Sequence, residues 1–132
     1  MVKAAKLVVS RRGRVLLVKR RRDGLWMFPG GRRKHRIGEG PKRCLRREIR
    51  EELPELKLGP FHLWQKLEGK NRHSGRKMSD AIFLARKAAG RLTIGDHKEI
   101  DKAEWRKPWG LRLTPTSRHI RDQLVADGYL RR

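Results

Sequence analysis

The segment Pro29–Leu53 reads PGGRRKHRIGEGPKRCLRREIREEL, and its second half decides how the chain folds. Glu39 is followed by seven residues and then by Arg47-Glu48-Ile49-Arg50-Glu51-Glu52. Together with Glu55, five of the 14 acidic residues fall within seventeen positions of a chain that carries 36 Lys and Arg. Pro41 suits a first helical turn and Pro54 ends one, which predicts a helix from about Gly40 to Leu53. At about 100° per residue, Leu45, Ile49 and Leu53 form an apolar stripe. Glu48, Glu52 and, further round, Glu51 fall along one flank of it, with Arg43, Arg46, Arg47 and Arg50 expected on the opposite side. Like charges three or four residues apart repel by roughly 0.2–0.5 kcal/mol per pair. A hard divalent cation such as Mg²⁺ or Mn²⁺ among the carboxylates removes that repulsion, because both ions prefer oxygen ligands. An exposed helix whose glutamates pair with its own arginines accounts for the same residues equally well, Arg47 to Glu51 being one such pair.

The residues before the helix shift this balance. Pro29-Gly30-Gly31 lets the backbone approach a ligand or metal closely, and Glu39 stands at the helix entrance. With these residues the chain resembles the Nudix hydrolase family, the MutT-like pyrophosphohydrolases. That signature runs Gly, five residues, Glu, seven residues, Arg-Glu, an aliphatic residue, any residue, Glu-Glu, any residue, Gly, aliphatic. Glu39 and Arg47-Glu48-Ile49-Arg50-Glu51-Glu52 match it in spacing. Trp26-Met27-Phe28-Pro29-Gly30-Gly31 is similar to the usual lead-in, and Glu99-Ile100 to Trp105 to a weaker family feature. Two departures stand out. Seven residues separate Gly31 from Glu39 instead of five, and Pro54 replaces the glycine after Glu-Glu-x, so the helix exit is expected to differ.

The resemblance implies Mg²⁺- or Mn²⁺-dependent hydrolysis of a nucleoside diphosphate linked to another moiety, a dinucleoside polyphosphate, an inositol pyrophosphate or a related pyrophosphate. It implies Glu48 and Glu52 as the main metal ligands and Glu51 as a further ligand or the base that activates water. Glu39 supports the cluster through a water-mediated metal contact or by orienting the helix. Gly31 offers its carbonyl to the metal, and Arg47 holds the carboxylates by an ion pair. A carboxylate outside the helix, Glu99 or Glu104, is an alternative base. A pyrophosphate repels incoming hydroxide, so charge neutralisation and in-line positioning are the chemistry such a site must supply.

Outward from the helix, Ala4–Ser10 and Val15–Lys19 read as a strand hairpin around Arg11-Arg12-Gly13. Leu25–Phe28 is a short apolar run, Arg32–Gly38 a basic loop, Leu56–Leu67 β-like with a break at Gly59-Pro60, and Gly69–Lys77 a polar hairpin loop or mobile flap. Ala81–Ala85 reads as a buried strand, Ala88–Asp96 as turn-rich and Ile100–Trp105 as a last strand. Thr114 caps a second helix with Pro115 in its first turn, Ile120 and Leu124 as its core stripe and Gly128 at its end. The fold expected is a Nudix-like α/β/α sandwich, one domain over 1–132, with a mixed sheet flanked by the catalytic and C-terminal helices.

The formal charge of +22 and pI near 11.6 point to a polyanionic partner: a phosphate-rich small molecule, with nucleic-acid or RNA-end contact through the basic surface. A nucleic-acid-binding module on the same fold without turnover is the alternative; it gives no reason for the repelling carboxylates. No apolar run suits a bilayer and Met1–Ser10 has no signal-peptide core, so no membrane role and a cytoplasmic, reducing setting are expected. Cys44 reads as a small buried hydrophobe and not as a catalytic thiol, and the five histidines show no zinc-like pairing. Arg32, Arg33 and Arg36, with Lys34 and His35, are candidates for extra substrate phosphates, or form a solvated basic loop. Trp26, Phe28 and Trp64 can stack a base or fill the core, and Trp105 and Trp109 carry the same pair of readings.

Overall fold

In a computed structural model, residues 2–34, 37–70 and 74–132 are described. Strands β1 (Val2–Arg11) and β2 (Arg14–Arg20) form the expected hairpin, followed by β3 (Trp26–Met27) and β4 (Gly30–Arg32). Helix α1 (Pro41–Glu52) comes next, then β5 (Leu56–Leu58), β6 (Phe61–Lys70), β7 (Lys77–Ala85), β8 (Ala88–Gly90), β9 (Ile100–Arg106) and helix α2 (Pro115–Ala126). The main sheet runs β3-β2-β1-β7-β6, with β4 on β1 and β9 on β2; β5 and β8 make a separate ribbon. Among the strand pairs of the described residues, β1 and β7 alone are parallel.

This sheet is buried on both faces, so its central strands are nearly continuous apolar runs. Alternate side chains go to opposite layers. Ala5, Leu7 and Val9 of β1 pack with Leu16, Val18, Ala81 and Phe83 under Cys44, Leu45, Ile49 and Leu53 of α1. Val8, Val15, Leu17, Ile82 and Leu84 face the other way, against Ile120 and Leu124 of α2 with Trp26 and Phe28. Thr114 caps α2 as expected, its hydroxyl accepting from Ser117 N–H at 3.2 Å.

Three expectations need adjusting. Arg32 belongs to β4, so the basic loop starts one residue later. The turn-rich stretch after Ala85 contains β8, which pairs with β5. Gly69, Lys70 and Lys77 extend β6 and β7 into the expected hairpin loop, whose residues 71–73 lie outside the described residues. At the exit of α1, Leu53 sits at φ −134° and leads directly into Pro54, which stands where the family glycine would be. Gly95 N–H donates to Glu52 C=O at 2.8 Å, satisfying one of the last helical carbonyls from a neighbouring loop. A Cβ on Gly95 would overlap the Glu51 carbonyl.

Candidate active site

The site is assembled where β4 lies between β1 and α1. Pairing of Lys6 with Gly30 and Ala5 with Gly31 fixes the Gly-Gly segment beneath the helix. Gly30 has φ 141°, and a Cβ there would collide with the Ala5 carbonyl, so no other residue fits. A Cβ on Gly31 would collide with the Glu48 carboxyl, which therefore rests directly on backbone. The Gly30 N–H donates to Glu52 Oε2 at 3.4 Å. Both glycines thus bring main chain close to carboxylates of α1.

Arg47 ties the acids together. Its Nε donates to Glu39 Oε2 at 2.7 Å and one terminal nitrogen to Glu39 Oε1 at 2.9 Å, a two-point grip. Its other terminal nitrogen reaches Glu48 at 2.9 Å and Glu51 at 3.3 Å. Arg47 also donates to the Arg32 carbonyl at 3.0 Å, joining α1 to β4. Arg47 is therefore on the acidic flank, and not opposite it with Arg43, Arg46 and Arg50 as expected from the helical spacing. On the helix it stands about 40° from Glu51, and the length of its side chain closes the gap.

Glu39 is 3% exposed. Oε1 also accepts from Lys34 N–H at 3.0 Å, and the Arg47 hydrogen bonds hold its pKa down at about 2. Of the two roles expected for Glu39, a water-mediated metal contact or orientation of the helix, the two-point Arg47 contact fits the second. The lengthened loop closes on the same residue. Arg33 Nε donates to the Glu39 carbonyl at 2.8 Å and Glu39 N–H to the Lys34 carbonyl at 3.2 Å.

Glu48 and Glu52 behave in the opposite way. Burial pushes both carboxyls up, opposed at Glu48 by Arg47 and at Glu52 by Lys6; each raises the other or is raised by a neighbouring acid, Glu99 among them. Glu51, on the outer side, is half exposed. Two desolvated carboxylates beside a backbone segment suit a hard divalent cation, which takes one or two carboxylates and completes its shell with water and substrate phosphates. Among the described residues no three His, Cys, Asp or Glu side chains form a ready-made metal site. The Arg47 guanidinium, bridging Glu48 and Glu51, occupies that side of the cluster. The Gly31 carbonyl accepts the Cys44 thiol at 3.4 Å. Cys44 itself is fully buried, and burial pushes its thiol up to about 11, which suits a structural residue.

Not every residue singled out by sequence reaches this cluster. Trp26 is 7% exposed in the α2-side core, where Arg106 stacks on it at 5.3 Å, so it is a core residue with no face offered to a ligand in the site. Phe28 is likewise core. Arg32 is exposed beside the site, Arg33 is partly engaged in closing the loop, and Arg36 and His35 lie outside the described residues. Glu104 is paired with Arg106 at 3.0 Å, whereas Glu99 faces Glu48 and Glu52 electrostatically.

Two residues escaped the sequence reading. Lys6, in the middle of β1, has its pKa lowered by burial against the pull of Glu52, Asp80 and Glu48. Asp80, on β7, is 6% exposed and pushed up by burial; among the described residues it has no hydrogen-bond partner. It lines a cleft of about 280 Å³ with Leu67, Met78, Pro115, Thr116 and His119, between the β6–β7 edge and the start of α2. The available signal was a charge at an inward-facing register position of an apolar strand.

The sequence model of the NUDIX domain matches residues 2–127. Among solved structures, the chain is similar to a MutT NUDIX hydrolase from Burkholderia pseudomallei, with a TM-score of 0.82 at 24% identity, covering 93% of this chain and 97% of that one. It is also similar to a MutT protein from Bacillus halodurans (TM-score 0.79, 20% identity, 98% and 86% covered). A third likeness is the NUDIX domain of Shewanella oneidensis NrtR, complexed with ADP ribose (0.79, 15%, 96% and 88%). The Gly-Gly cradle, the Arg47-centred acidic helix and the domain match agree, and the chain belongs to the Nudix family as a pyrophosphohydrolase.

Proposed function

We propose that this chain is a Mg²⁺- or Mn²⁺-dependent hydrolase that cleaves the pyrophosphate bond of a nucleoside diphosphate derivative. The carrying observation is the pair Glu48 and Glu52, desolvated side by side against Gly30-Gly31. These two carboxylates would hold the cation, which supplies charge neutralisation at the phosphates and orients the attacking water. Water adds to one phosphorus as the bridging P–O bond breaks, and the bridging oxygen leaves with the other phosphoryl group. Glu51 or Glu99 takes the proton, both lying beside the pair with open access to solvent. Arg47 and Glu39 fix the helix so that the carboxylates need not move during the reaction.

The nucleoside end fits the cleft that Asp80 lines, on the α2 face and one strand from β1. Burial pushes the Asp80 carboxyl up against the pull of Lys6, and with no hydrogen-bond partner among the described residues it can accept from a nucleobase edge with N–H donors in the cleft. Arg32 and Arg33 stand beside the turn for further phosphates, with Arg36 in the same stretch of sequence. The Cys44 thiol, inert and unpaired, suits a reducing cytoplasm.

The test is a substrate panel with each metal: nucleoside triphosphates, ADP-ribose, dinucleoside polyphosphates, inositol pyrophosphates and 5′-triphosphorylated RNA. Turnover should require metal and fall by about 10²-fold or more in Glu52→Gln, the scale of losing one preorganised charge contact. Asp80→Asn should raise KM on the best base-bearing substrate with kcat kept. No metal-dependent turnover on any member of the panel overturns the reading.

A further inference from the structure

A second concave site lies at the opposite end of the sheet. Its volume is about 450 Å³, and among its lining residues are the cations Arg11, Lys57, Arg86 and Lys87. Leu58, Ala88 and Ala89 supply its apolar wall. β1 and β7 run parallel, with Val9 beside Ala85, so both chains leave the sheet here and deliver Arg11 and Arg86-Lys87 together. β5 adds Lys57 from the side. No carboxylate lines the cavity, and among the described residues none of its four cations has an ion pair. Ala5, beside Gly31 in the acidic site, is six strand residues from Arg11, or about 20 Å.

The hairpin tip adds to the same charge. Arg11 pairs in register with Arg14, and Arg12 holds a left-handed φ of 53° between them. Like charges directly opposite across two strands destabilise a sheet. The rest of the surface is basic too, but there the few acids find arginines: Asp23 with Arg20, Asp101 with Arg21, Glu104 with Arg106 and Asp122 with Arg121. Here, among the described residues, Arg11 lies over the Trp105 ring at 5.8 Å and none of the cations finds a carboxylate; the four come from the ends of β1 and β7 and from β5, so the charge is distributed along the cavity and not gathered at one point. The cavity has no aromatic wall on which a base could stack.

We infer that this end of the sheet binds the phosphodiester backbone of a single-stranded nucleic acid, independently of base sequence and apart from the acidic site. Counterion release from the strand supplies the driving force and makes binding steeply salt-dependent.

The experiment is fluorescence anisotropy on the full chain with a labelled RNA of about 12 nucleotides, within the usual site sizes of such surfaces. Lys57→Glu/Arg86→Glu/Lys87→Glu is compared with Lys107→Glu/Arg118→Glu/Arg131→Glu, which makes the same charge change elsewhere on exposed positions. The first triple should weaken binding by about tenfold or more and flatten the salt slope by roughly 2, at about 0.7 per phosphate contact. The second should change either far less. Equal losses in both triples mean diffuse attraction by net charge and overturn the site, as does no loss in the first. Inorganic tripolyphosphate is the third probe. If the first triple abolishes its binding while RNA binding persists, the pocket takes a small polyphosphate and the inference fails. Should the reversal variant lose its circular dichroism, the Gln versions of the same three positions replace it. Turnover in the acidic site is measured alongside and should stay unchanged in every variant, so this outcome is separate from that of the substrate panel.

Discussion

Glu39 and Glu52 are both almost fully buried carboxylates, 3% and 4% exposed, yet their surroundings move them in opposite directions. Arg47 grips Glu39, so its pKa in the folded chain lies below that of the unfolded chain. Its contribution to stability is therefore complete above about pH 4.5 and is lost as pH falls towards 2. Glu39→Gln should cost about 2 kcal/mol at neutral pH, the scale of a lost hydrogen bond to a charged group, and should flatten the acid limb of the melting profile. Glu52 has burial against it and no such grip. Glu52→Gln should leave the metal-free melting temperature unchanged or higher, while abolishing the rise that Mg²⁺ gives the parent chain. A drop in the metal-free melting temperature would mean that the Glu52 carboxylate is structural. Cys44, held up at about 11, should resist a thiol reagent at pH 8 in the folded protein and react fully in denaturant.

At the scale of elements, the two glycines of β4 separate structure from chemistry. Gly30→Ala forces a side chain into the Ala5 carbonyl at a φ that L-residues avoid, so it should destabilise the fold by several kcal/mol, more than the roughly 1–3 kcal/mol of ordinary backbone strain. Gly31→Ala meets only the end of the Glu48 side chain, which can swing away. Activity should then fall far more than stability, as kcat and melting temperature measured on the same preparation will show. These elements were largely legible. Pro41, Thr114 and Pro115 mark helix starts whatever the tertiary context, and the Leu45–Ile49–Leu53 stripe has the period of a helix. The spacing of Glu48 and Glu52 likewise fixes their shared flank. What sequence did not show is what crosses between elements. The Arg47 flank depends on where Glu39 comes to lie, Trp26 is buried because α2 packs on that side, and the Lys6 and Asp80 environments arise only when β7 docks parallel to β1. At the exit of the helix the Glu52 carbonyl accepts from Gly95 N–H, 41 residues beyond Pro54 in the chain, a contact that no local pattern announces.

Over the whole molecule, the charge of +22 has two consequences that pull against each other. It attracts polyanions to every face, and it strains the compact state by self-repulsion. The 14 acids are too few to relieve this generally, and five of them sit between Glu39 and Glu55. Most of the surface repulsion is therefore between solvent-exposed cations, which salt screens over a Debye length of about 10 Å at 0.1 M. The Glu39–Arg47 contact, with side chains 3% and 14% exposed, is screened far less. Raising NaCl from about 20 to about 300 mM should therefore raise the melting temperature of the parent chain, against the usual weakening of surface ion pairs. Glu39→Gln should keep the full salt response from a lower starting point, because its lost contact is buried and the repulsion is not. A melting temperature that falls with salt would show that attractive surface pairs, such as Arg20 with Asp23, outweigh the repulsion of the excess cations.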